Sequence, residues 1–184
     1  MYLFADLETT GLDPVEDRII EVAWILTDEG YTVRTGPYSR VVTIDQHTWD
    51  LIKANQFIQG MHGPTGLLAD LTGDTVRLED IEQRILDDIA AGASPDEKVE
   101  IAGNSAHFDL LFIQNHMPRL FERLHYRVHN IATLIEFFEA SGIYHEVKNP
   151  RQHRASDDII HSLAVARFYQ AHVNGMIADL AVSA

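Results

Sequence analysis

The sequence contains no cysteine, which excludes disulfide bonds and thiolate metal sites built from this chain. It also lacks any apolar run approaching the roughly 20 residues that a membrane-spanning helix needs. The stretch before residue 9 carries Asp6 and Glu8 but no basic region ahead of an apolar segment, so a secretory signal peptide is not expected. These absences predict a cytoplasmic protein without a membrane anchor.

Basic residues are scarce: 14 Lys and Arg stand against 28 Asp and Glu, giving a formal net charge of −14. Proteins that track along DNA or RNA usually present a basic face, because phosphate neutralisation supplies much of their affinity. The charge therefore disfavours a long nucleic acid partner. A substrate of a few nucleotides stays open, since it needs few cationic contacts and metal ions can neutralise a carboxylate-lined site.

The length of 184 residues and the hydrophobic fraction of 46% fit one domain, residues 1–184, with a full core. Three strands are predicted first, and helices then alternate with two further strands, an order that predicts an α/β protein with a mixed sheet flanked by helices. The predicted strands are 2–7, 18–27, 38–44, 99–102 and 127–131. The last helix is predicted from about Arg154 to His172 and ends at Asn174-Gly175, which leaves residues 175–184 as a weakly specified tail.

Asp6 and Glu8 end the first predicted strand and are followed by Thr-Thr-Gly. Residues two apart in a strand point to the same side, so both carboxylates leave one face. Adjacent anions repel unless a cation lies between them, and oxygen-only ligands suit Mg²⁺ or Mn²⁺. The alternative is a pair of solvated charges at a strand end. Asp80 and Glu82 have the same spacing in a helical pattern, where the two side chains diverge.

Two further groups fit this pair. Asp109 follows a predicted strand and lies in the first turn of a helix, where the helix N-terminus favours an anion. His153 and Asp157 stand four apart at the start of the last predicted helix, which places them on one face. An ordinary first-turn Asp and a surface His–Asp pair are the alternatives.

Taken together, the groups supply four carboxylates and one imidazole. A two-metal phosphodiester site needs carboxylates that hold ions about 3.5–4 Å apart. It also needs a base for the attacking water, and histidine suits that role because its unperturbed pKa of about 6.5 lies near neutral pH.

Three stretches, DLETTGLDP (6–14), GNSAHFD (103–109) and HRASDD (153–158), resemble the three motifs of the DEDD exonuclease superfamily, histidine subclass. The resemblance implies a ribonuclease H-like fold and two divalent cations, Mg²⁺ or Mn²⁺. The implied metal ligands are Asp6, Glu8, Asp109 and Asp157, and the implied general base is His153.

Within that superfamily the chain is most similar to the oligoribonucleases, through DRIIEVA (17–23), HYR (125–127) and ASDDIIHSLA (155–164). This similarity implies that Leu12 and His62 grip the bases of a dinucleotide. Phe57 stands where the family has an aromatic tryptophan. Without the resemblance, these three residues are read as a loop leucine, a loop histidine and a core phenylalanine.

The similarity also implies a polar cap on the 5′-phosphate of the substrate. Ser105 and Arg127 would contribute to it, and Tyr126 would reach in from the second subunit of a homodimer. The chain departs from the family here, because Ala132 stands where a hydroxyl side chain is typical. Thr133 is the neighbouring hydroxyl that can compensate.

The function expected from these features is metal-dependent 3′→5′ hydrolysis of very short oligoribonucleotides, dinucleotides above all, to 5′-mononucleotides. One alternative is a DEDD exonuclease that proofreads longer DNA or trims RNA ends, for which the segment 148–154 is the only candidate basic track. Another is a non-catalytic nuclease-fold module, which would usually lack one or more acidic ligands.

Overall fold

The computed structural model describes residues 1–148 and 153–182. Within them, five strands form one sheet in the order β3-β2-β1-β4-β5. The strands are β1 (Tyr2–Thr9), β2 (Ile19–Thr27), β3 (Val33–Val41), β4 (Val99–Gly103) and β5 (Leu124–Asn130). Every residue of β2 is buried because this strand lies inside the sheet with both faces covered, which explains its nearly continuous apolar sequence.

The sheet is mixed. β1 pairs antiparallel with β2, and β2 pairs antiparallel with β3, whereas β4 runs parallel to both β1 and β5. The recorded β1–β4 pairing ends at Phe4 opposite Ala102, so the second half of β1 extends past the end of β4. Asp6 and Glu8 lie on this extension, at the edge where the parallel strands have their carboxyl ends and where ligands bind in open α/β sheets.

Helices cover both faces of the sheet. They are α1 (Gln46–Ala54), α2 (Gln56–His62), α3 (Leu67–Asp70), α4 (Leu78–Gly92), α5 (Ala106–His116), α6 (Pro118–Arg123), α7 (Ile131–Ala140) and α8 (Ala155–Val182). Leu3, Ala5 and Leu7 belong to the core cluster that packs on α4, α5 and α6. Phe4 belongs to the opposite cluster, which includes residues of α7 and α8. By strand alternation Asp6 and Glu8 share the face of Phe4, so they lie beneath α8.

The predicted mixed α/β sheet flanked by helices is confirmed. The third strand was predicted at Tyr38–Ile44 but spans Val33–Val41, because the turn after β2 is tight and pairing starts soon after it. The end predicted for the last helix at Asn174-Gly175 is wrong, since α8 continues to Val182. A glycine inside a helix costs only about 1 kcal/mol relative to alanine, so it does not by itself stop one.

Within residues 1–148 and 153–182, the structure contains no helix with the length and apolar character that crossing a membrane requires.

Candidate active site

Three carboxylates meet between β1 and α8. Asp6, Glu8 and Asp158 each offer one oxygen, and these oxygens all lie within 4.8 Å of one another. The two strand residues are placed by the alternation of β1, and Asp158 is brought down onto them by the packing of α8 on the sheet. The arrangement provides an all-oxygen donor set of the kind that Mg²⁺ and Mn²⁺ prefer.

Asp158, and not the predicted Asp157, is the helix residue in this group. The prediction assumed helical spacing between His153 and Asp157, but α8 begins at Ala155. His153 lies before the helix with φ of 46°, in the left-handed region. The helical period therefore does not reach His153, and the carboxylate that meets Asp6 and Glu8 is one position further along.

Asp109 reaches β1 from the other side. Its Oδ1 accepts a hydrogen bond from the backbone N–H of Leu7, at 3.0 Å, and its side chain is buried. Leu7 lies between Asp6 and Glu8, beyond the point where β4 pairs with β1. The Asp109 carboxylate therefore accepts the hydrogen bond that a longer β4 would accept from the Leu7 N–H. Asp109 lies in the first turn of α5, as predicted, and its negative charge acts on Asp6.

Burial raises the pKa values of these acids, and the charges of neighbouring acids reinforce the effect for Asp6 and Glu8. Burial raises the pKa of Glu8 to about 8, and the charges of Asp158 and Glu21 add to the effect. Burial, followed by the charges of Asp109 and Glu8, holds the pKa of Asp6 well above its ordinary value. Burial also raises the pKa of Asp109 to about 7, although the Leu7 N–H opposes the rise. Carboxylates held this close favour either protons or cations between them, so the donor set fits divalent metal ions.

His153 is exposed at the mouth of this group. It lines a cleft of about 450 Å³ together with Asp6, Glu8 and Asp158. A non-glycine residue in the left-handed region is uncommon, and such backbone strain concentrates at functional sites. The imidazole therefore borders the same cleft as the three carboxylates.

His62 does not lie on the wall of the cleft. Its side chain is 0% exposed, and its Nε2 is 3.7 Å from Oε2 of Glu8. Burial is the main cause that lowers the pKa of His62, which favours the neutral ring. In this conformation the side chain lies beside Glu8 and has no exposed surface with which to grip a base, contrary to the prediction.

Leu12 is 81% exposed at the tip of the loop that follows β1. This loop is closed on itself, because the Thr10 hydroxyl donates to Asp17 and accepts from the N–H of Arg18. Gly11 packs directly on Asp17, since a Cβ at Gly11 would lie 2.3 Å from the Asp17 carboxylate. The leucine is thus presented to solvent by a short, internally bonded loop.

Phe57 is likewise 73% exposed, so it is not a core residue. With Met61 and Pro64 it lines a cavity of about 690 Å³ that His153 also borders. The general base candidate therefore stands between the carboxylate cleft and an apolar pocket. Apolar side chains beside a polar cleft are suited to holding a nucleobase.

Ser105 and Thr133 are linked through Asn130. The N–H of Ser105, which has φ of 62°, donates to Asn130 Oδ1 at 2.9 Å, and Asn130 Nδ2 donates to the Thr133 hydroxyl at 3.2 Å. This network joins the ends of β4 and β5 to the start of α7. It places the hydroxyl of Thr133 near the predicted phosphate cap, beside the position of Ala132.

Tyr126 and Arg127 lie on β5, the edge strand, and both are exposed, Tyr126 by 82%. The Arg127 guanidinium carbon lies 5.7 Å from the centre of the Tyr126 ring. Neither side chain lines the carboxylate cleft.

Besides Asp158, sequence reasoning missed three polar residues of the cleft: Asn104, His161 and Ser162. Asn104 directly follows β4, and the carboxyl ends of parallel strands are where ligand-binding residues collect. His161 and Ser162 stand three and four positions after Asp158, so they share its face of α8. Counting the helical period from Asp158 would therefore have identified His161 and Ser162 in the sequence.

Comparisons with known proteins identify relatives over most of the chain. The model of the exonuclease family RNase_T matches residues 3–166. An oligoribonuclease from Pseudomonas syringae pv. syringae is 36% identical over 171 residues, which are 92% of this chain and 94% of that protein. The mitochondrial oligoribonuclease of Mus musculus is 31% identical over 175 residues, 93% of this chain and 72% of that protein.

Among solved structures, E. coli Exonuclease I in complex with a dT13 oligonucleotide matches with a TM-score of 0.65 at 17% identity. The match covers 97% of this chain but only 43% of the Exonuclease I chain, and at this identity it establishes the fold alone. The family match and the two relatives cover most of the sequence. The chain therefore belongs to the oligoribonuclease family of the DEDD exonuclease superfamily.

Proposed function

We propose that this protein is a metal-dependent 3′→5′ exoribonuclease that cleaves very short oligoribonucleotides, dinucleotides above all, to 5′-mononucleotides. The observation that carries the proposal is the convergence of Asp6, Glu8 and Asp158 within 4.8 Å, with His153 beside them in the same cleft. The oligoribonuclease relatives, which align over nine tenths of the chain, support the same activity.

The ligands in this proposal are Asp6, Glu8, Asp109 and Asp158. Two divalent cations, Mg²⁺ or Mn²⁺, supply charge neutralisation and a more acidic water when bound. His153 accepts the proton of the attacking water, since it is the exposed imidazole bordering the carboxylates. Asp109 also fixes the backbone of β1 at Leu7, so it keeps Asp6 and Glu8 at their spacing.

Preference for short substrates follows from the surroundings of the cleft. Leu12 and Phe57 offer exposed apolar surface for two bases, and the network of Ser105, Asn130 and Thr133 offers polar groups for a terminal phosphate. A terminal phosphate held at a fixed distance from the carboxylates selects substrate length. Arg127 belongs to the same cap, because its planar guanidinium can bond phosphate with two N–H groups.

We also propose a homodimer in which Tyr126 completes the cap of the partner subunit. Tyr126 is 82% exposed on an edge strand, although its ring contacts the side chains of His125 and Arg127 on the same strand. Aromatic residues of this kind are enriched where one protein surface meets another. Sedimentation velocity of the purified protein measures the oligomeric state directly.

The deciding experiment is a substrate-length series from two to about twenty nucleotides, with 5′-phosphorylated RNA beside DNA. Cleavage with Mn²⁺, none with EDTA, and a rate per end that falls as RNA lengthens support the proposal. Equal rates on a dinucleotide and a twentymer contradict the preference for short substrates. Metal-independent or absent cleavage contradicts the activity itself.

The structure weakens the alternative of a longer-strand exonuclease. Arg154, in the candidate basic segment 148–154, is engaged with two carboxylates, those of Glu21 and Asp70. It is therefore not available to track a phosphate backbone. Residues 149–152 lie outside the described part of the chain, and Lys148 is exposed. Lys148→Ala is expected to leave both short and long RNA cleavage unchanged, and a loss on long substrates alone would favour the alternative.

A further inference from the structure

Glu21 is a buried charge whose environment is built from two distant parts of the chain. Its side chain lies on β2 and is 0% exposed. Arg154 donates to it from Nη2 at 2.9 Å and from Nε at 3.2 Å to each oxygen. The Ser39 hydroxyl donates at 2.9 Å, and the N–H of Ala155 donates at 3.1 Å. Burying a carboxylate is costly unless it is paired and hydrogen-bonded, and Glu21 has partners of both kinds.

The position of Glu21 relates this ion pair to the active site. In the antiparallel β1–β2 ladder Glu21 is directly opposite Glu8, so the two side chains leave the same face as neighbours. Arg154 immediately follows His153, and Ala155 is the first residue of α8. The Glu21 carboxylate therefore caps the N-terminus of α8 next to the Glu8 ligand, where the helix dipole favours an anion.

We propose that Glu21 and Arg154 are positioning residues of the hydrolytic reaction. They hold the start of α8 against β1, so that His153 and Asp158 stand at a fixed distance from Asp6 and Glu8. Asp70 holds the other arm of the guanidinium at 2.8 Å and limits its rotation. This inference rests on the proposed phosphodiester hydrolysis, and it assigns a role to residues that do not themselves touch the substrate.

His153 makes such a device necessary. Its backbone is in the left-handed region, which is uncommon for a residue other than glycine and costs free energy that the surrounding structure must offset. The support on its C-terminal side is the Arg154–Glu21 contact and the Ala155 cap. Misplacement of a catalytic group by about 1 Å can lower a rate by about a hundredfold, so a small movement here matters.

The chain supplies a matched control. Glu82 is also buried, it accepts from Arg119 Nε at 2.9 Å, and it caps α6 through the N–H of Leu120 at 3.0 Å. This second pair has the same chemistry but joins α4 to α6 and lines neither the cleft nor the apolar pocket. Breaking this second pair therefore measures how much stability is lost with a buried arginine–glutamate cap when His153 is not affected.

The test compares Glu21→Gln, Arg154→Lys and Glu82→Gln in the full chain, with a 5′-phosphorylated diribonucleotide and Mn²⁺. Glu21→Gln and Arg154→Lys are expected to lower kcat by about tenfold to a hundredfold with little change in KM. Glu82→Gln is expected to lower the thermal midpoint by about as much as Glu21→Gln does. Its kcat is expected to stay within about twofold of wild type. Hydrogen exchange of the 153–158 segment, measured without metal or substrate, is expected to speed up only in the first two variants.

Unchanged kcat and unchanged exchange at 153–158 in Glu21→Gln would overturn the inference, as would an equal kcat loss in Glu82→Gln. If Glu21→Gln does not fold, Arg154→Lys and the milder Ser39→Ala decide by the same two measurements. A wild-type protein without metal-dependent cleavage would contradict the proposed function. In that case the exchange measurement alone decides whether the pair holds the start of α8.

Discussion

Asp157 and Asp158 are neighbours in sequence, yet they project about 100° apart around a helix. Only Asp158 has an oxygen within 4.8 Å of oxygens of Asp6 and Glu8. We expect Asp158→Asn to lower kcat with Mn²⁺ by more than the roughly 10- to 100-fold typical of groups that only support a metal ligand. Asp157→Asn is expected to stay within a few-fold of wild type. The reverse order of losses would restore the assignment made from spacing alone.

Asp109 offers a second test on single side chains, because asparagine has nearly the same volume and can still accept the Leu7 N–H. Asp109→Asn is expected to abolish cleavage while the circular dichroism spectrum is retained. The substitution also removes a buried carboxylate, which favours the stability of the folded protein in the absence of metal. Activity within a few-fold of wild type would mean that Asp109 does not serve as a ligand.

The raised pKa values predict how the metal-free protein responds to pH. Glu8, with its pKa raised to about 8 in the folded state, releases its proton on unfolding across the window from its ordinary value of about 4.3 up to about 8. Its contribution to the free energy of unfolding is therefore fully present below that window and is lost as the pH rises through it. The Asp109 carboxyl, at about 7, acts in the same direction.

The measurement is the thermal midpoint in EDTA at pH 6 and pH 8, for wild type and Glu8→Gln. Buried histidines with lowered pKa values, such as His129, act in the opposite direction, so the difference between the two proteins is the informative quantity. Wild type is expected to lose more stability than Glu8→Gln on going to pH 8, at about 2–4 °C per kcal/mol for a chain of this size. Mn²⁺ is expected to remove the difference, and identical slopes without metal would contradict the prediction.

Among the elements, the loop after β1 is the clearest case of structure encoded locally. Gly11 leaves no room for a side chain, because the Asp17 carboxylate would lie 2.3 Å from its Cβ. Gly11→Ala is expected to displace Asp17 and with it the Thr10 contacts that close the loop around Leu12. The expected result is a higher KM for a dinucleotide and a lower thermal midpoint. Leu12→Ala provides the comparison, since it is expected to raise KM without affecting stability.

The helical elements show where periodicity succeeds and where it fails. The stripe Ile81, Ile85 and Ile89 predicted a helix that the structure confirms as α4, buried against the sheet. The same reasoning placed His153 on a helix that begins two residues later. A period is informative only within the element, and the conformation of the residue before a helix depends on its tertiary contacts, here those of Arg154.

At the scale of the whole molecule, Tyr126 tests the proposed dimer. Tyr126→Ala is expected to reduce turnover of 5′-phosphorylated dinucleotides strongly, and hydrolysis of an unphosphorylated chromogenic phosphodiester only weakly. The reason is that the role proposed for the tyrosine is in the phosphate cap, and its side chain does not line the carboxylate cleft. Equal losses on the two substrates would indicate a defect in folding or assembly, which sedimentation velocity on the same samples distinguishes.

The sequence by itself determined the sheet, the helices that flank it and the family, because strand alternation, helical periodicity and short motifs are local properties. It identified Asp6 and Glu8 for the same reason, since two residues of one strand share a face. Only the tertiary structure decided that Asp158 joins them, that His62 is buried next to Glu8, and that Glu21 caps α8. Each of these depends on how a helix is placed against a strand from another part of the chain, and packing of the whole core fixes that placement.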